Sequence, residues 1–129
     1  MRSYLAILAF LSCITTVQAG TVDFTQVLRG PDGPFKDCRR NDDAGKCIEY
    51  VDLTLGRLCI NAAALPDRNA SIADQTSHGR LAMRLLDAKE VDLTAEEIKF
   101  LKDQIAKLGY NSIVVYQAVK LLDPVAAEK

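Results

Sequence analysis

The chain has a single histidine, His78, and that scarcity removes most metal and acid–base chemistry at the outset. A zinc site assembled from Cys38, Cys47, Cys59 and His78 lacks the closely spaced ligand pairs that such sites use. An excess of charge of one sign is also missing. With 16 basic and 17 acidic residues the net charge is −1, so no basic field draws the chain to nucleic acid or to a membrane surface. No apolar run reaches the roughly 20 residues that cross a bilayer. Gly30 and Gly33 stand beside prolines instead of opening a helix, so no phosphate-cradling loop is present. No alternating acidic loop of the calcium-binding kind occurs either, and internal repeats and low-complexity segments are absent.

What is present begins with an export pattern. Arg2 precedes an apolar run from Tyr4 to Cys13, and small residues follow at Val17 and Ala19, the arrangement that a secretory signal peptidase accepts. The expected cut falls between Ala19 and Gly20, which makes residues 1–19 a signal peptide. A buried N-terminal helix, a membrane anchor and lipidation at Cys13 are the competing readings; Phe10, Leu11 and Ser12 suit the last poorly. Cleavage leaves 110 of the 129 residues and, because Arg2 is lost, a formal charge of −2. That length suits a single domain, residues 20–129, with one modest core.

Along residues 20–51 the pattern is an extended arm followed by a β-hairpin. Thr21 to Leu28 reads as a strand or arm, and Gly30-Pro31-Asp32-Gly33-Pro34 reads as turns. Phe35 to Arg40 and Lys46 to Val51 flank a polar turn, Asn41-Asp42-Asp43-Ala44-Gly45, and form the hairpin. Residues 54–123 carry helical periodicity. Thr54 caps a first helix with Leu55, Leu58, Cys59, Ala62 and Leu65 on one face, which ends at Pro66. After a polar connection over 67–77, a second helix runs from Arg80 to about Asp87. Thr94-Ala95-Glu96-Glu97 is a capping box with Leu93 as its staple, and it opens a third helix striped by Ile98, Leu101, Ile105 and Leu108 and closed by Gly109. Asn111 or Ser112 starts the fourth, which ends before Pro124. There Ile113, Val114, Ala118, Leu121 and Leu122 line one side and Val115 and Val119 another, so more than one face seeks burial or a partner. The expected class is mainly α: a small helical domain of about four helices with an N-terminal β-hairpin.

Export makes a disulfide chemically accessible, and Cys38 and Cys47 face each other across the hairpin turn. Closing so short a loop contributes about 2 to 3 kcal/mol on chain-entropy grounds. Cys59, on the apolar stripe of the first helix, reads as a small buried hydrophobe, with a reactive thiol or an intermolecular disulfide as the alternatives. His78 is the one possible base for a nucleophile at Ser71, Ser77 or Cys59. Its polar surroundings, without a strand–turn–helix signature, read as a solvated loop or helix start. Asp42-Asp43 fits a turn and Glu96-Glu97 a helix start. Asn69-Ala70-Ser71 is a glycosylation sequon, relevant only in a eukaryotic source.

Three runs also carry a resemblance: Val51-Asp52-Leu53-Thr54-Leu55-Gly56, Val91-Asp92-Leu93-Thr94-Ala95-Glu96-Glu97-Ile98, and Ile113-Val114-Val115-Tyr116-Gln117-Ala118 with Leu121-Leu122-Asp123. Over residues 34–123 they resemble a group of small phage and prophage proteins of uncharacterised function. The resemblance implies a bacterial source with mobile-element ancestry and brings no catalytic residue with it. The export signal departs from that group and argues against a cytoplasmic assembly role. The functional expectation is therefore an exported, non-enzymatic binding or interaction protein. It would be secreted or periplasmic, with a protein partner, no cofactor and no stable membrane insertion after cleavage. A phage-derived structural or assembly protein is the alternative.

Overall fold

The structure, a computed structural model, describes residues 18–127; of the signal peptide expected over residues 1–19, residues 1–17 lie outside them. Its first strand, β1 (Gln18–Asp23), pairs antiparallel with a strand that the sequence reading did not anticipate, β6 (Glu90–Thr94). Thr21 stands opposite Asp92, Val22 opposite Val91 and Asp23 opposite Glu90. The alternation along each strand turns Val22 and Leu93 into the core while Thr21 and Asp92 stay in solvent. The strand thus ends at Asp23, short of Leu28. There the Asp23 carboxylate accepts from the hydroxyl and amide of Thr25, and those bonds hold it below the usual carboxylate range.

Beyond that turn the chain runs across the start of the first helix, α1 (Leu55–Ala63). The Leu55 amide donates to Gln26 (2.8 Å), the Gly56 amide to Phe24 (2.9 Å), and the Arg57 amide to the Thr54 hydroxyl (3.1 Å). Amides that a helix start leaves unpaired are therefore satisfied internally. Gly56 permits the crossing, because a Cβ there would stand 3.0 Å from the Phe24 carbonyl oxygen. Two further ribbons follow in sequence: β2 (Arg29–Gly30) with β3 (Gly33–Pro34), and β4 (Lys36–Asn41) with β5 (Cys47–Asp52). Gln117 fixes the first ribbon to the helices by accepting from the Arg29 amide (2.9 Å) and donating to the Arg29 carbonyl.

The helical half depends on caps and stripes. α1 stops at Ala63, with Ala64 as its cap, before Pro66 is reached, and Leu65 is only half-buried. α2 (Ile72–Leu85) begins about two turns earlier than its expected start at Arg80, because Ser71 accepts from the Asp74 amide at 3.1 Å. α3 (Ala95–Lys107) opens at Thr94 as expected, with the Glu97 amide on the Thr94 hydroxyl (3.2 Å) and with Leu93 and Ile98 in the same core cluster. The Glu97 carboxylate instead receives the Arg84 guanidinium, at 3.0 and 3.2 Å. α4 (Ser112–Leu122) is capped by Asn111, which accepts from the amides of Ile113 and Val114. Val114, Ala118 and Leu122 are buried, but Ile113, expected beside them, is 44% exposed, since it stands one residue off the stripe that the spacing of 114, 118 and 122 turns inward. Pro124 follows the end of α4, as expected. It is the first residue of a short turn of helix, α5 (Pro124–Ala127), a position where its missing N–H costs nothing.

α1 packs on both α2 and α3, and α3 on α4. Their buried faces, with Val22, Phe24, Leu28, Leu53 and Leu93, make one core. Gln104 is the buried polar residue in it; it donates to the Ala62 carbonyl (3.4 Å) at the end of α1 and accepts from Lys107 (2.9 Å). The helical core and the N-terminal hairpin of the expectation are both present. Strands contribute more than one hairpin, however, as three two-stranded ribbons among the described residues.

Candidate functional site

The β4–β5 ribbon stands apart from that core. Its turn is held by Asp42, whose carboxylate accepts from the amides of Ala44 (3.0 Å) and Lys46 (2.8 Å), as the Asp42-Asp43 pair implied. Cys38 and Cys47 form a disulfide with Cα atoms 5.8 Å apart. The register that brings them together differs from the expected one. Cys38 stands opposite Tyr50 and Cys47 opposite Asn41, with irregular steps at Cys38/Arg40 and Arg40/Asn41. Such bulges bend a strand and raise its twist, and that bend lets two residues meet that are not partners in the ladder.

One side chain from the core grips the base of the ribbon. Arg57, on α1, places Nε 2.5 Å from the Asp37 carboxylate and donates a second bond to the Cys38 carbonyl at 2.9 Å. The pair is partly buried, and its two bonds fix both the side chain and the backbone of β4. Tyr110, in the α3–α4 link, stands close to the same charges. Burial, followed by the Asp37 charge, raises its phenol above the ordinary range, against the opposing effects of a hydrogen bond to Asn61 and the Arg57 charge. The remaining ion pairs of the ribbon are exposed: Lys36 with Asp52, and Arg39 and Arg40 with the single carboxylate of Glu49. Pairs of that kind contribute little.

Along β5, Cys47, Glu49 and Val51 are half-buried, whereas Ile48 is 52% and Tyr50 64% exposed. The strand period of two accounts for this, since alternate side chains leave on opposite faces. Beside the ribbon lies an open groove of about 580 Å³, lined by Val51 and Arg39 of the ribbon together with Phe24, Ile60, Leu86 and Asp87. Asp87 adopts φ 62°, a left-handed conformation that aspartate tolerates better than most residues.

The other sequence candidates do not converge on a reactive centre. His78 is neither in a loop nor at a helix start. It lies within α2, half-buried, with its ring stacked on Phe100 of α3 at 3.9 Å and 17°. Ser77 lines the same cleft as His78, but Ser71 is occupied as the α2 cap and Cys59 is sealed in the core. Burial pushes the Cys59 thiol up to about 12, which leaves it protonated and unreactive near neutrality. Asn69 is exposed in the turn before α2. No group of three or more His, Cys, Asp or Glu side chains suited to a metal occurs among the described residues, and no described helix is long and apolar enough to cross a membrane. Sequence reading missed Arg57, Phe100 and the exposed pair Ile48 and Tyr50. Only the last had a local signal, the alternation Cys47-Ile48-Glu49-Tyr50-Val51 itself. In comparisons with known proteins, no family model, curated protein or solved structure matches the chain.

Proposed function

We propose that this chain is an exported, non-enzymatic binding protein that meets a protein partner in the secreted or periplasmic space through the outer face of its disulfide hairpin. The observation that carries the reading is the exposure of Ile48 and Tyr50 on a backbone already fixed by a disulfide and by Arg57. A large side chain held in place before binding loses little conformational freedom on contact, which is why aromatic anchors dominate protein interfaces. Opposite charges on the ribbon are largely paired with each other, so recognition rests on apolar contact and not on long-range steering. Removal of residues 1–19 is compatible with the fold: the Gln18–Thr94 pairing goes, and Thr21, Val22 and Asp23 keep their partners on β6.

The test is site-specific photo-crosslinking in the native host, with the reactive group at position 50 and a control at exposed Lys99. A protein adduct formed from position 50 in the exported fraction, absent from position 99 and lost with Ile48→Ser, is the expected result. Equal adducts from both positions, or none, would overturn the reading. Intact mass checks export separately: a species starting at Gly20 is expected, and a full-length species retained in the cell would favour the phage-derived assembly role.

A further inference from the structure

We infer that the Cys38–Cys47 disulfide is a redox latch that decides whether the β4–β5 ribbon exists as an ordered surface, while the helical core stays folded in both states. This goes beyond the binding reading and holds whether or not a partner docks there. The core cluster contains no residue between Lys36 and Asp52. An isolated two-stranded ribbon is marginal in water, and here the ladder is irregular at two steps in the half nearer its turn. Noncovalent fixings gather at the base: the Leu53 amide donates to Phe35 (2.7 Å), the Phe35 amide to Leu28 (2.9 Å), and Arg57 holds Asp37 and the Cys38 carbonyl. Past Cys38 the ribbon has the exposed Arg39, Arg40 and Glu49 pairs, the Asp42 turn and the disulfide.

A dithiol reductant breaks the Cys38 Sγ–Cys47 Sγ bond. Two electrons and two protons pass to the cysteines as two S–H groups, and the dithiol closes into its own disulfide. The core does not need the link. The start of α1 is satisfied by Phe24, Gln26 and Thr54, none of which belongs to the ribbon. Cys59 is too buried to capture either freed thiol, so the original pair re-forms on oxidation. The ribbon is then assembled only in an oxidising compartment, and the chain presents Ile48 and Tyr50 as one surface only there.

Hydrogen exchange read by mass spectrometry, on the oxidised protein, the dithiothreitol-reduced protein and the Cys38→Ser/Cys47→Ser double variant, tests the latch. Amide protection over residues 39–49 should fall about a hundredfold on reduction, the chain-entropy effect of opening a loop of this length. Protection in α1, α3 and α4 should stay within about threefold, and alkylation of the reduced protein should modify Cys38 and Cys47 but not Cys59. Two outcomes overturn the inference: unchanged protection in the ribbon on reduction, or loss of protection throughout the domain with Cys59 labelled. Should the double variant not accumulate, the reduced wild-type protein decides alone.

Discussion

Between Lys36 and Asp52 no side chain enters the core, whereas the nine residues of α1 bury Leu55, Leu58, Cys59, Ala62 and Ala63. The two regions are stabilised by different physics. The helical core rests on apolar area removed from water, at about 1.5 to 3 kcal/mol for each large aliphatic side chain. The ribbon rests on one covalent bond, a guanidinium clamp and a bent ladder, so its order should respond to redox state and salt while the core ignores both. A surface can thus be held rigid without being buried. Binding faces need that combination, because burial would remove the very side chains that make contact.

The sharpest way to break this comparison is to cut equal amounts of structure from each side. Leu101→Ala empties a fully buried site on α3 and should cost about 2 to 5 kcal/mol in urea unfolding, with every probe shifting together. Removing the disulfide should cost about 2 to 3 kcal/mol, confined to the ribbon. If the helices unfolded with it, the division between the regions would be wrong. Next comes the buried thiol. Since Cys59 is raised in the folded state to about 12 from an ordinary 9.0, the folded chain keeps a proton that the unfolded chain gives up. Stability from this source is intact below pH 9 and falls by about 1.4 kcal/mol per pH unit between 9 and 12. Cys59→Ala should lack that slope, so the stability gap between the two proteins should narrow as pH rises through this window.

How far the sequence revealed this division depends on how local each signal was. α3 was legible because its cap, its staple and its stripe lie within consecutive residues, Leu93 to Leu108. α2 was legible only in its second half. Residues 72–77 are all exposed, Ile72 at 84%, so the first turns have no apolar face to betray a helix, and Leu81 and Leu85 are the buried residues of the element. β6 escaped because Glu90-Val91-Asp92-Leu93 alternates too briefly to be read without knowing that β1 lies beside it. At the candidate site the cysteine pair was visible and its register was not. Arg39, Arg40 and Ile48 carry no glycine or proline to mark the bulges, and the ladder slips where the side chains give no warning. Arg57 was unreadable for a similar reason, since its partners lie on a different element and only the folded chain brings them together.

Smaller effects refine the comparison at the seam between the regions. Arg57→Ala removes the clamp and leaves Asp37 without its cation, at a cost of about 1 kcal/mol for a pair still partly open to solvent. The loss should shrink as salt is raised, and it should appear first as faster exchange in β4. Arg57→Lys keeps the charge but not the two-pronged reach to carboxylate and carbonyl, so it should recover only part of the protection.

The smallest expected effect on stability is also the most informative. Tyr50→Ala removes a ring that is 64% exposed and lies outside the core cluster, so urea unfolding should move by no more than about 0.5 kcal/mol. If Tyr50 helped to hold the ribbon, its loss would instead lower protection around Cys38, the residue directly across the ladder. An unfolding midpoint and an exchange pattern matching the wild-type protein would show that this aromatic does nothing for the fold that presents it. A shift as large as that of Leu101→Ala would mean that the ribbon has a core of its own, and the contrast between a buried half and a braced half would collapse.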